Sequence, residues 1–526
     1  MVSQVRRFVC AMVTLSLVGA GSVVWVRPSE AAGRVPAQFV AKLYSEALGR
    51  IPDAGGWTSH LNAVTDRGCN APVIRDLIRE FYTSGEFLSL DYDNQARVLA
   101  LYRGALNREP EQSGLDHHTA QLDTGELTWP QLVDGFVTTP ELSDLASTIC
   151  GAGTSYHFGT QPAPNLTPSG SGFGGGTGAQ LQALLDAAPA GGTVYLAQKA
   201  VVRLTATLDI PKGKTLATRG LPAPSRYAMQ GRLVRSGMFA APMVQLEGGA
   251  QLRSVWTDGQ RGSSANFTAE AINIQAMGGD GTAVVDSKIS NSQGWSSLLA
   301  FGSAEGWPCA NMTIKGNLIT AYSSEHFPVD GNGRWTDGAS IACEHATVED
   351  NAVIDATDVG IVLFRAAPAV QSSAVHGNQV LNAGNSAYGA LAVDGLYDKG
   401  ATQDFTGATV NDNAFWTGPE THVDFGIAVG TRPWFGSRSD AGTGVTVRGN
   451  TTNGLTAVVG TGIAISGMYR ATVQGNDLRL SVQSISSCPH VALAVDADGY
   501  AADSDVQAGS TPVRFTSPAG GGCIGH

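Results

Sequence analysis

The stretch Thr313-Ile314-Lys315-Gly316-Asn317 decides the fold, because close copies of it return along the second half of the chain. The copies are Thr347-Val348-Glu349-Asp350-Asn351, Ala374-Val375-His376-Gly377-Asn378, Thr409-Val410-Asn411-Asp412-Asn413, Thr446-Val447-Arg448-Gly449-Asn450 and Thr472-Val473-Gln474-Gly475-Asn476. Their asparagines are 34, 27, 35, 37 and 26 residues apart. A repeat of this length, built from short strands and turns, is typical of a solenoid. The variable spacing places the extra residues in loops, where function is to be sought.

A second phrase interleaves with the first. It is a glycine followed by a short apolar alternation, and it begins at Gly338, Gly360, Gly389, Gly426 and Gly462. Each coil therefore carries at least two short strands with a period of two residues. Stacked coils pair each strand in parallel with its copy, about 4.8 Å away. The two phrases together predict a parallel β-helix.

The repeated asparagines are predicted to be structural. The Gly-Asn or Asp-Asn corner suits a left-handed bend, which these residue types tolerate best. Stacked asparagines can also hydrogen-bond to one another as a ladder. We expect Asn317, Asn351, Asn378, Asn413, Asn450 and Asn476 to lie in one column.

The start of the solenoid predicts a capping helix. Residues 179–188 have helical apolar spacing, and Pro189 with Gly191 and Gly192 ends the helix before the strand at 193–196. This opening resembles the pectin-lyase-like superfamily of right-handed parallel β-helices, which includes polygalacturonases, pectate lyases, alginate epimerases and phage tailspikes. The resemblance covers about 175–510 and implies the fold rather than one activity. The chain lacks the Asn-Thr-Asp, Asp-Asp and Arg-Ile-Lys phrases of polygalacturonases, so no catalytic residue is carried over.

The first 31 residues read as a secretory signal. Arg6 and Arg7 precede an apolar run over 8–26, and Ala31 ends a small-residue segment. The run is long enough that an uncleaved membrane anchor stays open as an alternative. A cleaved signal implies a secreted protein, extracellular or associated with the cell wall, with no membrane contact afterwards.

Residues 36–150 contain a helical duplication. The segment from Leu43 to Trp57 recurs from Leu101 to Leu115 with an offset of 58 residues. This small all-α domain resembles a helical module of secreted bacterial proteins that shares a phrase with phycobilisome linkers, and the resemblance implies attachment or assembly. Trp57, Arg50 and Arg108 are predicted to be structural. Residues 151–178, rich in Gly, Ser and Pro, are predicted to form a flexible tether to the β-helix at 179–526.

Cysteine usage agrees with export. Outside the signal, three neighbouring pairs predict the disulfides Cys69–Cys150, Cys309–Cys343 and Cys488–Cys523. No Cys-x-x-Cys occurs, which argues against a zinc site. The net charge of −12 argues against nucleic acid as a partner. We expect no cofactor and no resident metal, with a calcium requirement left open.

Acidic, histidine and aromatic residues cluster on the loop edge that follows the asparagine corner. Aligned on the next glycine, Asp337 lies one residue before it, whereas Asp358 and Asp424 lie two before it. Adjacent coils would bring Asp337 and Asp358 within several Å, and paired carboxylates are what glycoside hydrolysis needs. The predicted catalytic set is Asp337, Asp358, Asp330, His326, His422 and Asp424. Asp before Gly is also ordinary turn chemistry, so a structural role stays open.

A second edge follows the glycine strands and carries arginines beside aromatic rings, which suit sugar stacking and carboxylate contact. Across both edges, the predicted substrate-binding residues are Trp335, Tyr388, Trp416, Arg365, Arg432 and Trp434. Two functions remain in view. One is a secreted polysaccharide hydrolase or lyase. The other is a non-catalytic surface protein, with a glycan-binding β-helix as spacer and the helical domain for attachment.

Overall fold

A computed structural model describes residues 34–151, 162–237, 239–262, 267–301, 309–322, 334–364, 371–394, 402–430, 441–485, 488–496, 505–507 and 511–515. The predicted signal at 1–31 lies outside this part of the chain. Within it, no helix is both long and apolar enough to span a bilayer.

Helices make up the first described segment. They are α1 (Arg34–Lys42) with a π-helical turn (Leu43–Ala47), α2 (Ala54–Arg67), α3 (Ala71–Thr83), α4 (Gly85–Ser89), α5 (Asn94–Ala105), α6 (Gln112–Asp123), α7 (Trp129–Val137) and α8 (Pro140–Cys150). The duplication is visible in matched contacts. Arg50 binds Glu86 and stacks over Tyr44, and Arg108 binds Glu141 and stacks over Tyr102. The predicted structural role of both arginines is confirmed.

From Phe173 onward the described residues form a right-handed parallel β-helix, as predicted, in which the described strands pair in parallel with those of the next coil. Its first face carries the strands that precede the asparagines, β13 (Thr313–Lys315), β16 (Thr347–Glu349), β19 (Ala374–His376), β23 (Thr409–Asn411), β27 (Thr446–Arg448) and β30 (Thr472–Gln474). The same ladder continues at its two ends with β4 (Thr215–Thr218), β7 (Gln251–Arg253), β10 (Ala283–Val285) and β33 (Asp505–Gln507).

The second face carries the strands that follow the asparagines, β14 (Leu318–Thr320), β17 (Ala352–Ile354), β20 (Gln379–Asn382) and β24 (Ala414–Thr417). It begins with β5 (Gly231–Arg235), β8 (Val255–Asp258) and β11 (Lys288–Ser290) of the earlier coils. The long strand β2 (Thr193–Leu204) belongs to both faces, because its first part pairs with β4 and its last part with β5. β1 (Phe173–Thr177) pairs with β2 and precedes the capping helix α9 (Gly178–Ala187). The capping helix was predicted, and it buries Leu181 and Leu185 against the core.

The third face carries the strands of the glycine phrase: β3 (Leu208–Ile210), β6 (Val244–Leu246), β9 (Ile274–Met277), β12 (Ser296–Phe301), β15 (Asp337–Ala342), β18 (Val359–Phe364), β21 (Ala387–Asp394), β25 (Val423–Val429), β28 (Ala457–Ile465), β32 (Leu493–Asp496) and β34 (Val513–Phe515), with β31 (Leu480–Val482) beside β28. A small separate ladder joins β22 (Thr402–Asp404), β26 (Ala441–Thr443) and β29 (Met468–Tyr469).

The asparagines form the predicted column between the first and second faces. In each step, the backbone N–H and the side-chain amide of one asparagine donate to the Oδ1 of the next, from Asn317 through to Asn476, at 2.8–3.1 Å. The residue before each asparagine adopts a positive φ, as at Gly316 and Asp350. The ladder therefore satisfies buried polar groups at a tight corner, which explains why the phrase repeats.

Two of the predicted disulfides are confirmed. Cys69 and Cys150 are joined with a Cα–Cα distance of 5.3 Å, and Cys309 and Cys343 with 4.6 Å. Cys488 is also disulfide-bonded. Its predicted partner, Cys523, lies outside the described residues.

The expected flexible tether is not found in residues 162–178. Asn165 bonds Gln112 of the helical domain and accepts from Arg203 of the β-helix at 2.8 Å, and Phe173–Thr177 is already a strand of the sheet. The helical domain itself packs on the second face of the β-helix and belongs to the same compact unit. A Gly- and Pro-rich composition predicted mobility, but side-chain partners on both domains hold this segment.

Candidate functional site

The candidate site lies where the strands of the third face begin. The register pairs Ala339 with Ile361, so Asp358 lies one position out of step with Asp337 in the preceding coil. In the following coils Asp358 lies opposite Tyr388, and Tyr388 lies opposite Asp424, as the pairs Val359–Gly389 and Gly389–Phe425 require. The offset inferred by aligning the glycines matches this register.

A crease in the backbone shapes the site. Strict alternation would put Val359 and Ile361 on one side, yet Ile361 lies in the solenoid core whereas Val359 joins an outer cluster with Val362. The crease occurs at Gly360, where an added Cβ would lie 2.6 Å from the carbonyl oxygen of Ala390. Only glycine can approach a neighbouring backbone so closely. The residues just before Gly360 therefore do not follow the alternation of core and outward side chains that the rest of the strand shows.

Asp337 is buried and fully engaged. Its Oδ1 accepts the backbone N–H of Val359 at 2.9 Å, and its Oδ2 accepts the hydroxyl of Ser340 at 2.6 Å. Ser340 also contacts Ser296 of the previous coil. Asp337 is only 3% exposed. Burial raises the pKa of Asp337 to about 7, although both hydrogen bonds favour the ionised form.

Asp358 is the member of the pair that reaches solvent. It is partly exposed, whereas Asp337 and Asp394 are buried. Burial, the neighbouring Asp337 and then Asp394 raise the pKa of Asp358 well above its usual range. Like charges in a low-dielectric site cannot all ionise, so these neighbours favour the protonated form of Asp358. A neutral carboxylic acid that reaches solvent is what a general acid requires.

A histidine and an acid lie two coils further along. His422 contacts Ser386 through Nδ1 at 3.1 Å, and its Nε2 lies 3.6 Å from Oδ1 of Asp424. The His422 side chain is 21% exposed and that of Asp424 is 3% exposed. Two coil steps separate Asp424 from Asp358, which is about 10 Å between their backbones.

The predicted aromatic residues differ in their exposure and in their distance from the acids. Trp335 is partly exposed and makes an edge contact with the buried Tyr388, with 5.5 Å between ring centres. Tyr388 therefore supports Trp335 from beneath rather than offering its own face to a ligand. Trp416 does not join the site, because it lies on the second face under the helical domain and is 1% exposed. Its predicted role in substrate binding was wrong for that reason.

Several predicted residues cannot be placed. His326, Asp330, Arg365, Arg432 and Trp434 lie outside the described residues. Within the described ranges, no group of three or more His, Cys, Asp or Glu side chains is arranged to hold a metal ion. Residues that sequence reasoning missed are Ser340, Ser386 and Asp394. The sequence does indicate Ser340, because it is a polar residue within an otherwise apolar strand.

Comparison with known proteins adds fold-level likeness. Residues 78–145 match the family described as "Domain of unknown function (DUF4214)". No curated protein sequence matches the chain. Among solved structures, the chain is similar to an endo-xylogalacturonan hydrolase from Aspergillus tubingensis, with 13% identity, a TM-score of 0.40, and coverage of 65% of this chain and 96% of that one.

Two further structures are similar over a comparable share of the chain. A tailspike mutant of E. coli bacteriophage HK620 in complex with pentasaccharide has 13% identity and a TM-score of 0.43, covering 64% of this chain and 61% of the tailspike. An alginate lyase from Paenibacillus sp. has 13% identity and a TM-score of 0.31, covering 61% of this chain and 98% of that one. Likeness at this level concerns the fold alone.

Proposed function

We propose that this chain is an extracellular polysaccharide hydrolase in which Asp358 is the general acid. The observation that carries the proposal is the pair formed by Asp358 and Asp337 at the start of the third-face strands. Burial and the neighbouring acids raise the pKa of Asp358 and so favour its protonated form, and its partial exposure leaves it accessible to a glycosidic oxygen. Trp335, beside the acids, offers a ring edge and face for a sugar.

Asp337 acts as a positioning residue in this proposal. With 3% exposure and both carboxylate oxygens bonded within the protein, it cannot reach a substrate. The proximity of its carboxyl group instead raises the pKa of Asp358, because the two acids cannot both ionise readily. This refines the expectation that the two acids form the acid–base pair themselves.

The second catalytic group is assigned to the His422–Asp424 pair. Inverting glycosidases place their two carboxyl groups about 6.5–9.5 Å apart, with a water between them. Two coil steps of about 4.8 Å each approach this spacing. His422, which is partly exposed and held by Ser386 and Asp424, is suited to accept a proton from that water. Hydrolysis is favoured over elimination, because the charged groups that interact with Asp358 among the described residues are the carboxyls of Asp337 and Asp394.

The test is a screen of neutral and acidic polysaccharides for new reducing ends and for the absorbance of unsaturated products. On any glycan that the wild type cleaves, Asp358→Asn is expected to lower kcat by about 10²-fold or more, the usual contribution of a positioned acid. Asp412→Asn is the matched control, since Asp412 is an exposed corner residue of another coil. Equal activity of Asp358→Asn and the wild type would refute the assignment.

A second candidate function is glycan binding without cleavage. The full engagement of Asp337 by Val359 and Ser340 favours it, because a bonded and buried carboxyl is typical of a structural residue. In that case affinity electrophoresis detects binding that Trp335→Ala weakens, and no panel member yields reducing ends. Export is part of both proposals and rests on the disulfides; N-terminal sequencing of the secreted protein tests cleavage after Ala31.

A further inference from the structure

The outer side of the second face is covered by the helical domain. Its outward residues alternate with core residues such as Leu233 and Ile289, so they would otherwise face solvent. Charged residues occupy one end of this face, and apolar ones occupy the other: Leu318, Ile354, Leu381 and Trp416, all at most 2% exposed. Such an apolar surface, if uncovered, would favour association or aggregation.

Buried charges cross the junction between the domains. The docking network consists of Glu46, Arg103 and Glu109 from the helical domain and Arg232, Asp258 and Lys288 from the second face, with side chains at most 2% exposed. Glu46 binds Arg103 at 2.8 Å within its own domain and Lys288 across the junction at 2.9 Å. Arg232 binds Glu109 across the junction at 2.6 Å and Asp258 at 2.5 Å.

Aromatic rings pack against the charged groups of this network. Trp256 lies between two guanidinium groups, 4.6 Å from that of Arg103 and 3.7 Å from that of Arg232. Tyr227 donates its hydroxyl to the backbone carbonyl of Glu46 and carries the ammonium of Lys288 over its ring at 3.5 Å. Separating the domains would expose or leave unpaired every one of these groups, and an unpaired buried charge is costly.

A second set of contacts reaches the turns beside the candidate site. Gln38 of α1 donates to Oδ2 of Asp355 at 2.8 Å. Oδ1 of Asp355 accepts the N–H groups of Ala383 at 2.6 Å and Gly384 at 3.0 Å, in the turn of the next coil. Gly384 has no room for a Cβ, which would lie 2.3 Å from the Gln38 side chain. These turns lead directly into Asp358 and Tyr388.

We propose that the duplicated helical domain is a permanent brace of this β-helix, docked through buried charges and holding the turns that lead to the third face. Its partner is therefore the solenoid of its own chain, and the docked surface is not available for attachment to another molecule. The proposal concerns stability and positioning, and it holds whether or not the third face cleaves a glycan.

The first experiment separates docking from covalent connection. A site for a sequence-specific protease is inserted in 152–161 of the full chain, and the folded protein is cut there. The two fragments are expected to co-elute in gel filtration at both 0.15 M and 1 M NaCl, because buried pairs are screened far less than exposed ones. Dissociation of the fragments at 0.15 M NaCl would overturn the proposal.

Variants of the cut protein identify what holds the fragments together. Glu109→Lys places a cation against Arg103 and Arg232, and it is expected to abolish co-elution. Glu141→Lys is the matched control, because Glu141 pairs with Arg108 at an exposed position inside the helical domain. Retained co-elution of Glu109→Lys would show that the network does not determine docking and would refute that part of the proposal.

The link to the turns is tested without breaking the interface. In the uncut chain, Gln38→Ala removes the donor to Asp355, and hydrogen exchange of the Ala383 and Gly384 amides is expected to become about tenfold faster. Amides of the asparagine ladder, such as Asn413, serve as the internal control and should exchange as in the wild type. Unchanged exchange at 383–384 would mean that the helical domain does not hold these turns.

Discussion

The docking network and the candidate site both bury several carboxyl groups, but they surround them with charges of opposite sign. Burial alone would raise the pKa of Glu46, yet Arg103 and Lys288 lower it below its usual range. Asp258 is likewise buried, and Arg232 and Arg103 lower its pKa. At the third face, burial raises the pKa of Asp337, and burial together with Asp337 and Asp394 raises that of Asp358.

The contrast separates structural charges from candidate functional ones. A fold that buries acids for docking neutralises them with cations, as the docking network does. Acids buried beside other acids destabilise the folded chain at neutral pH, and such strain is typical of functional sites. The sign of the neighbours, rather than burial itself, therefore distinguishes the two regions.

The largest expected effect comes from breaking the docking network. Arg232→Met removes one of the two arginines that Glu109 and Asp258 share and leaves Arg103 beside them, and we expect the free energy of unfolding to fall by about 3–5 kcal/mol. Urea unfolding followed by circular dichroism measures it. Arg79→Met is the control, because Arg79 pairs with Asp134 on the exposed surface, where a pair contributes about 0–1 kcal/mol. Equal losses in the two variants would contradict a structural role for the network.

Removing an acid from the candidate site should have the opposite effect on stability, and that effect should depend on pH. Below about pH 4, Asp337 is protonated in both the folded and the unfolded chain. As the pH rises towards 7, the unfolded chain releases this proton, whereas the folded chain, with its pKa raised to about 7, retains it. The free energy of unfolding of the wild type therefore falls over this range.

Asp337→Asn has no carboxyl group to titrate and therefore lacks this penalty. Its unfolding free energy, relative to the wild type, should therefore rise by about 1–3 kcal/mol between pH 4 and pH 8. Denaturant melts at several pH values measure the difference, with Asp412→Asn, at an exposed position away from the site, as the control. A constant difference across pH would mean that Asp337 is not held protonated by burial.

The fold was predictable because its determinants repeat. Asn317 and its copies occupy one buried column, and a residue that must fill the same corner in every coil leaves a periodic trace. The docking of the helical domain leaves no such trace. Arg232, Trp256 and Lys288 are three different residue types at one register position of successive coils, and their partners lie more than 100 residues earlier.

The site was predictable only in part. Alignment on Gly360 gave the correct offset between Asp337 and Asp358, because backbone register follows the repeat. Burial does not follow from register. The crease at Gly360 and the donors Ser340 and Val359 place Asp337 out of reach of substrate, and the docked helical domain buries Trp416. These are tertiary contacts, which no local spacing encodes.

The smallest expected effect concerns the hydrogen bond that influences the pKa of Asp337 in the candidate site. Ser340 donates to Oδ2 of Asp337 at 2.6 Å, which lowers the pKa that burial raises. Ser340→Ala should therefore raise the pKa of Asp337 further, by about one unit or less, the value of a single neutral hydrogen bond. The carbonyl stretch of the protonated acid, followed against pH by infrared difference with Asp337→Asn as the blank, measures the shift.

Ser297→Ala is the matched control for this last variant. Ser297 is equally buried, on β12 next to Ser296, and has no hydrogen bond to Asp337 among the described residues. An unchanged midpoint in Ser340→Ala would show that the hydroxyl of Ser340 does not contribute to the pKa that burial raises. An upward shift would show that a single hydroxyl partly offsets the burial of Asp337, in the same direction as the cations offset that of Glu46 but more weakly, because a neutral donor carries no net charge.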